Sequence, residues 1–225
     1  RYIHMNNYDA QVKAALEGFE KVLRSQLARV EKINAANDFV DYEKLPVLTI
    51  GVCGGDGIGP IITKAAQNVL EYLLADEVKA GKVKFKVIDG LTIENRAACM
   101  KAIPDDVMEE LYKCDVILKG PTTTPRAGDP WPNIESANVA MRKNLDLFAN
   151  VRPVKVPEKG IDWTFFRENT EGSYAVGSQG VNVTDDLAVD FCVTTTEGTN
   201  RIARLAFDYA RRNKKNRVSI VTKAN

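Results

Sequence analysis

Apolar segments suited to buried strands alternate with amphipathic segments suited to helices between residues 45 and 119. Leu45–Val52 predicts a buried strand that runs into a glycine-rich turn, GGDGIGP, and then into a helix over about 60–74. Lys82–Val87 alternates lysine with apolar residues, which is typical of an edge strand with one wet face. Two shorter helices precede a third strand at Val116–Leu118. The repeated strand and helix order predicts an α/β fold with a mostly parallel sheet.

The flanking sequence predicts an N-terminal helix and a second, smaller domain. Apolar residues recur every three or four positions over residues 9–33, which predicts an amphipathic helix that packs against the body or a partner subunit. We expect residues 1–44 to form a helical extension, 45–150 a large α/β domain, and 151–225 a smaller α/β domain used for dimerisation. The predicted elements of the last part are a connector at 153–160, strands at 163–167, 187–193 and 217–221, and a helix at 196–213.

Composition excludes several classes of function. The 225 residues are 44% hydrophobic and 27% charged with a net charge of +1, which argues against nucleic-acid binding and against a polybasic membrane surface. No apolar run approaches the roughly 20 residues that span a bilayer. His4 is the only histidine, so mechanisms that need a histidine base or ligand are disfavoured. Four cysteines without a Cys-x-x-Cys pair predict small buried hydrophobes in a reducing compartment, the cytoplasm or alternatively the mitochondrial matrix.

Residues 115–152 bring together side chains that suit a ligand rich in carboxylates. Lys119 follows the third strand, three threonines come next, and Ser136 stands where it would cap a helix carrying Asn138 and Arg142 on one face. A guanidinium can grip a carboxylate with two parallel hydrogen bonds, and Arg152 supplies a second one. The segment therefore predicts a small-molecule polycarboxylate site. The alternative is a polar loop followed by an ordinary capped helix.

The glycine-rich turn is weak evidence for nucleotide binding. Its glycines permit positive φ and close approach of a backbone or a ligand. They do not follow the G-x-G-x-x-G spacing of the dinucleotide fingerprint. Asp56 in this turn and Lys119 both lie at carboxyl ends of strands, which is where ligands gather in such sheets.

Six segments in order resemble the decarboxylating dehydrogenases of isocitrate and isopropylmalate. They cover about residues 45–225 and read GGDGIGP, KGPTTTP, SANVAMRKNLDLFANVRP, FRENTEGSY, TTTEGTNRIARLAFDYA and VTKAN. Ser136 and Asn138 resemble the isocitrate branch, because the isopropylmalate branch carries bulky apolar residues there. The resemblance implies an isopropylmalate dehydrogenase-like α/β fold whose C-terminal strands and helices are missing from this sequence.

The resemblance also implies a function and a site. The expected reaction is oxidative decarboxylation of isocitrate to 2-oxoglutarate, a step of the tricarboxylic acid cycle, with NAD or NADP and with Mg2+ or Mn2+. The expected assembly is a homodimer with shared active sites. The family's catalytic pair matches Tyr174, as the acid that protonates the enol, and Lys223, as the group that assists proton removal from the hydroxyl. Substrate-binding positions match Lys119, Ser136, Asn138, Arg142, Arg152 and Arg167, and cofactor-binding positions match Thr123, Thr124 and Asn225.

Departures from the family pattern keep alternatives open. The loop RAGDPWPNIE before Ser136 is longer than the family's usual glycine-rich tract, so another acid such as isopropylmalate, homoisocitrate or tartrate is a candidate substrate. No aspartate matches a metal motif, so the sequence names no metal ligand. The chain could also be a non-catalytic, regulatory or assembly-only family member. Tyr174 as a core aromatic, Lys223 as a solvated strand end, and the arginines as structural ion-pair residues are the corresponding structural alternatives.

Overall fold

The structure is a computed structural model that describes residues 8–35, 40–177 and 179–222. Its contacts divide the chain into two compact units, one formed by residues 38–145 and the other by residues 1–37 together with 146–225. The predicted residues His4, Lys223 and Asn225 lie outside the described residues. Across these ranges, no helix combines the length and the apolar character needed to cross a bilayer.

The N-terminal helix is confirmed as α1 (Asp9–Ala35) and belongs to the same unit as the C-terminal part of the chain. Its contact face differs from the prediction. Val22 is buried, whereas the predicted stripe is largely exposed, with Leu16 and Leu27 both more than 60% accessible. The contacts of the helix with its unit lie at Gly18, Phe19, Val22 and Arg29, so Phe19 of the apolar stripe takes part in them.

A parallel sheet organises the unit formed by residues 38–145. Its strands are β1 (Leu48–Cys53), β2 (Val83–Val87) and β3 (Val116–Lys119), in the order β2-β1-β3, with Ile50 beside Phe85 and Val116. The α/β class with a parallel sheet is therefore confirmed, and β2 is an edge strand of the described sheet. The helices are α2 (Gly59–Leu73), α3 (Ala75–Lys79), α4 (Ile93–Cys99), α5 (Asp105–Tyr112) and α6 (Ala137–Asn144).

The core of this unit fixes the orientation of α6. Leu91, Leu111 and Met141 are among the residues that form one buried apolar cluster, which also includes Ala137 and Ala140. Burial of these α6 residues leaves Asn138 exposed and Arg142 half-buried. The amphipathic pattern of α6 thus presents the two polar residues at a surface.

Two predictions about burial need correction, one for α2 of this unit and one for two of the four cysteines. The apolar residues of the helix predicted over about 60–74 suggest an inner face that includes Val69 and Leu73, but α2 buries Thr63 and Gln67 and leaves both of those residues exposed. Cys53 is buried, and burial raises the pKa of its thiol to about 11, as expected for an inert hydrophobe. The cysteines Cys99 and Cys192 are exposed, contrary to the prediction.

Two antiparallel hairpins and a long helix form the C-terminal part of the other unit. The elements are β4 (Ala149–Val156), β5 (Ile161–Glu168), β6 (Val181–Thr184), β7 (Leu187–Val189) and α7 (Thr196–Arg212). α7 packs on β5, since the Thr164 hydroxyl donates to the Tyr209 hydroxyl at 3.1 Å and the Phe166 and Tyr209 rings lie 5.1 Å apart.

Three strand predictions in this part need correction. Residues Pro153–Val156 were expected in a connector but continue β4, because the hairpin pairs Ala149 with Glu168 through to Val156 with Ile161. The strand expected to reach Val193 ends at Val189, and Val193 pairs only with Gly172. The segment 217–221 forms no strand, since its apolar residues Ile220 and Val221 are exposed without a pairing partner among the described strands.

Candidate functional site

The two glycine-bearing loops at the carboxyl ends of β1 and β3 pack backbone against backbone. The Asp56 amide donates to the Pro121 carbonyl at 2.8 Å, and the Gly120 amide donates to the Cys53 carbonyl at 2.8 Å. A Cβ on Gly55 would lie 2.0 Å from the Pro121 carbonyl oxygen, and Gly55 has a φ of +72°. Gly55 and Gly120 therefore allow close contact between the two loops, a structural role that needs no nucleotide.

The Asp56 carboxylate holds these loops to the start of α4. One oxygen accepts from the Ile93 amide at 2.8 Å, and the other accepts from the Thr123 amide at 2.6 Å. Both oxygens of the carboxylate are thus used on backbone donors. The hydrogen bond from the Thr123 amide to Asp56 fixes the main chain of Thr123 and satisfies a backbone donor of a half-buried residue.

Arg96 on α4 is a fully buried residue that the sequence analysis missed. Its guanidinium donates from Nε to the Ala102 carbonyl at 2.8 Å, from Nη1 to the Thr123 carbonyl at 2.6 Å and from Nη2 to the Glu135 carbonyl at 3.0 Å. Burial lowers its pKa, and the nearby Asp56 carboxylate opposes that shift. The signal in the sequence was the three-residue spacing from Ile93, which places both side chains on the buried face of the helix.

Through these contacts Arg96 joins the two segments that carry the predicted binding residues. The Thr123 carbonyl belongs to the loop after β3, and the Glu135 carbonyl belongs to the residue before Ser136. One planar group with five donors can hold several carbonyls in a fixed arrangement. Arg96 therefore links the loop after β3 to the start of α6, in addition to the hold of Asp56 on Thr123.

Lys119 is half-buried beside two other cations. Its ammonium donates to the Gly120 carbonyl at 2.8 Å and to the Thr122 hydroxyl at 3.1 Å. Burial lowers its pKa, Cys53 and Asp56 oppose that shift, and the positive charges of Arg96 and Arg142 add to it. Within the described residues, neither Lys119 nor Arg142 forms an ion pair with a carboxylate.

The other predicted binding residues of this unit are close in sequence to Lys119 and Arg142. They are Thr123, Thr124, Ser136 and Asn138. Ser136 occupies the N-cap position of α6, but its side chain makes no capping hydrogen bond, contrary to the predicted cap. The half-buried hydroxyl of Ser136 and the exposed amide of Asn138 leave their polar atoms available to a ligand. Thr123 is half-buried, whereas Thr124 is exposed.

Arg152, Arg167 and Tyr174 belong to the other unit, where the hairpin brings them onto one face. Asn150 pairs with Arg167 across the strands, and Arg152 lies two residues along from Asn150, so its side chain points to the same side. The Arg152 Nε donates to the Asn150 amide oxygen at 2.8 Å. Arg167 donates to the Tyr174 hydroxyl at 2.5 Å, and its Cζ lies 5.3 Å from the centroid of that ring.

The turn that carries Tyr174 is organised by two glutamates. The Glu168 carboxylate accepts from the amides of Thr170 and Glu171 at 2.9 and 2.7 Å. The Glu171 carboxylate is buried and accepts from the Thr195 amide and hydroxyl at 3.0 and 2.5 Å. The sequence ENTEG thus forms its own hydrogen-bonded scaffold, which the sequence analysis treated only as a turn.

The described residues do not supply a metal site. No group of three or more histidine, cysteine, aspartate or glutamate side chains in the part of the chain that the structure describes is arranged to hold a metal ion. The carboxylates of Asp56 and Glu168 accept hydrogen bonds from backbone amides.

The parallel sheet carries polar and charged side chains at the carboxyl ends of its strands. This arrangement is typical of α/β proteins that bind small molecules at that edge of the sheet. The family model for isocitrate/isopropylmalate dehydrogenase matches residues 49–225. The chain belongs to the isocitrate/isopropylmalate dehydrogenase family.

Individual relatives agree with this assignment. Homoisocitrate dehydrogenase of Methanocaldococcus jannaschii is 33% identical over 199 residues, which cover 80% of this chain and 53% of that protein. The mitochondrial NAD isocitrate dehydrogenase alpha subunit of Macaca fascicularis is 36% identical over 186 residues, covering 80% and 50%. An NADP isocitrate dehydrogenase of Staphylococcus epidermidis is 30% identical over 227 residues, covering 87% and 52%.

A solved structure supports the fold. The crystal structure of a beta-decarboxylating dehydrogenase from Thermococcus kodakarensis matches with a TM-score of 0.55 and 33% identity, covering 75% of this chain and 47% of that one. The chain spans about half the length of the curated relatives it matches.

Proposed function

We propose that this chain binds a small polycarboxylate through Lys119 and Arg142 and belongs to an NAD- or NADP-dependent decarboxylating dehydrogenase. The observation that carries the proposal is that the half-buried side chains of Lys119 and Arg142 form no ion pair with a carboxylate among the described residues, while the charge of Arg142 adds to the lowering of the Lys119 pKa. Two cations that lack an ion-paired carboxylate favour the binding of an anion. Isocitrate has three carboxylates and suits such a site.

The remaining roles rest on the family resemblance. Ser136 and Asn138 contribute neutral donors to the substrate, and Thr123 and Thr124 contribute to the substrate and nicotinamide. Arg152 and Arg167 provide further guanidiniums for carboxylates. The Arg167 guanidinium also contacts the Tyr174 hydroxyl, which places a substrate-binding cation beside the proposed acid.

The reaction then follows from these groups. A bound nicotinamide would supply the acceptor for the hydride of the secondary alcohol carbon, and Lys223 would assist removal of the hydroxyl proton. The resulting β-keto acid loses CO2, and the bond electrons form an enolate. Tyr174 donates a proton to the enol carbon to give the 2-oxo acid.

Cofactor and assembly details are part of the same proposal. The relatives include both NAD and NADP enzymes, so either nicotinamide remains open. The Mg2+ or Mn2+ expected from the resemblance stays a prediction, since the described residues do not fit a metal site and no step is assigned to it. A homodimer with shared active sites, in the cytoplasm or the mitochondrial matrix, is likewise proposed from the resemblance.

The experiment compares Arg142→Gln with Lys143→Gln. Both residues lie on α6, but Lys143 is paired with Glu135 at 3.7 Å, whereas Arg142 has no carboxylate partner among the described residues. Calorimetric titration with isocitrate is expected to show affinity about tenfold or more weaker for Arg142→Gln, because a bidentate charge-assisted contact is lost. The Lys143→Gln affinity should change by less than about twofold. Equal losses of isocitrate affinity in both variants would show that general electrostatic attraction, and not a specific contact with Arg142, binds the ligand.

A second candidate substrate is homoisocitrate, because the relative from M. jannaschii is a homoisocitrate dehydrogenase of comparable identity. The absorbance of reduced nicotinamide, followed after mixing the chain with each acid, Mn2+ and NAD or NADP, ranks isocitrate, homoisocitrate, isopropylmalate and tartrate. Turnover of homoisocitrate alone would replace isocitrate in the proposal. Binding of an acid without turnover by this chain would indicate the regulatory alternative.

A further inference from the structure

Arg29 connects the N-terminal helix to the turn that carries Tyr174. The family model begins at residue 49, so α1 lies outside the matched segment. Arg29 nevertheless donates from Nη2 to the Glu171 carboxylate at 3.1 Å and reaches the Thr170 hydroxyl at 3.5 Å. A residue from outside the family match thus contacts the ENTEGSY turn inside it.

The Glu171 carboxylate depends on this contact because it is almost fully buried. It is 6% exposed, and its other partners are the neutral amide and hydroxyl of Thr195. Among the described residues, Arg29 is the one cation within ion-pair distance of it. Removing one partner of a buried ion pair leaves the other charge uncompensated.

The helix that delivers Arg29 is docked at other points along its length. The Phe19 ring stacks on Phe191, with centroids 5.0 Å apart and planes 21° apart. Gly18 approaches Val181 so closely that a Cβ would lie 3.3 Å from it, and Val22 is 5% exposed. The guanidinium of Arg29 is therefore aimed by a fixed helix.

We propose that α1 is a brace for the Tyr174 turn, with Arg29 as a positioning residue that holds Glu171. Gly172, the next residue, exchanges two backbone hydrogen bonds with Val193 at 2.8 and 3.1 Å. Tyr174 follows two residues later and contacts Arg167. Fixing Glu171 therefore fixes where the phenol stands. The functional consequence of this brace rests on the proposed function, in which Tyr174 is the general acid.

The test compares Arg29→Met with Arg24→Met in the full chain. Arg24 is a matched control on the same helix, where it pairs with Glu20 in an exposed (i, i+4) pair. Amide hydrogen exchange at Gly172 and at Thr195, whose amide donates to Glu171, reports directly on the turn. Exchange at both amides should become about tenfold or more faster in Arg29→Met, because local opening of the turn becomes easier, and should stay unchanged in Arg24→Met.

A second readout separates positioning from fold stability. Isocitrate affinity, measured by calorimetry, should fall about fivefold in Arg29→Met. Arg29→Lys should recover most of the affinity, because its ammonium keeps the charge beside Glu171, although it loses the fork geometry. A uniformly destabilised fold would instead speed exchange throughout the unit and would not be rescued selectively.

Each outcome decides the inference. Unchanged exchange at Gly172 and Thr195 in Arg29→Met overturns the brace. Faster exchange with unchanged isocitrate affinity overturns the positioning role and leaves α1 a stabilising helix only. If the wild-type chain binds no isocitrate, the proposed function fails, while the exchange comparison still decides whether Arg29 holds the turn.

Discussion

The two units hold their predicted site residues with buried charges of opposite sign. In the unit of residues 38–145, the Arg96 guanidinium spreads its charge over the carbonyls of Ala102, Thr123 and Glu135. In the other unit, the Glu171 carboxylate takes its donors from Thr195 and from Arg29, which is 142 residues away along the chain. The first arrangement neutralises a charge with backbone dipoles, and the second relies on an ion pair supplied by a remote helix.

This difference separates contacts within the segment that the family model matches from contacts that reach outside that segment. Arg96 and its acceptors all lie between residues 96 and 135, inside the matched segment. Glu171 depends on α1, which lies outside it. Substitutions at the first charge should therefore disturb a loop geometry intrinsic to the unit, whereas substitutions at the second should disturb the docking of an added helix.

The largest expected effect is that of Arg96→Met. It leaves three carbonyls without their donor in a buried place, which should lower the free energy of unfolding by about 4 kcal/mol. Urea unfolding of the chain measures it, with Arg126→Met on the exposed loop after β3 as the control. A loss below about 1 kcal/mol would show that Arg96 does not organise these loops.

Gly55→Ala tests whether close loop packing explains the glycine-rich turn. Its Cβ would meet the Pro121 carbonyl oxygen, and the residue also has positive φ. We expect a loss of about 3 kcal/mol. Gly57 also has positive φ but nothing lies within 4 Å of its Cβ, so Gly57→Ala should cost only about 1 kcal/mol. Similar losses in urea unfolding would assign the effect to φ alone.

Glu171→Gln tests the ion pair between Arg29 and Glu171 from the side of the carboxylate. The amide keeps an acceptor for Thr195 but leaves Arg29 without its carboxylate, which should cost about 2 kcal/mol in free energy of unfolding. Combining it with Arg29→Met should cost less than the sum of the two single losses, because both remove one interaction. Strict additivity of the two losses would break the assignment of a coupled pair.

The smallest effect is expected for Lys119→Met, and it depends on pH. The folded pKa of Lys119 lies below its ordinary value of 10.5 because burial disfavours the charge. Between the lowered pKa and 10.5 the unfolded chain binds more protons, so the stability of the wild type rises with pH there. At neutral pH the variant should therefore be more stable than the wild type. The difference in free energy of unfolding should be less than about 1 kcal/mol, because water screens the half-buried group, and it should become smaller towards pH 10.5.

That measurement also relates stability to function. Lys119→Met should weaken isocitrate binding while it stabilises the fold, because the unpaired cation is retained for an anion. Thermal unfolding at several pH values and calorimetry at neutral pH provide the two readouts. A variant that is less stable at neutral pH would show that the hydrogen bonds to Gly120 and Thr122 outweigh the cost of burial.

The order of strands and helices over residues 45–119 could be predicted from the sequence because local periodicity determines it. The boundaries of α1 and α7 lie within a few residues of the predicted ones, because their apolar spacing is a local feature. The strand at 217–221 was wrong for the opposite reason. A run with strand propensity becomes a strand only where a partner strand pairs with it.

The candidate site divides in the same way. Lys119, Ser136, Asn138 and Arg142 were identified from one continuous segment and from motifs, and the sequence by itself determined the family and these residue types. Only the tertiary structure decided that Arg96 is fully buried and that the Asp56 carboxylate accepts hydrogen bonds from backbone amides. It also decided that Arg29 reaches Glu171. The reason is physical: residue spacing records which side chains share one element, whereas the partner of a buried charge is chosen by contacts between elements distant in the chain.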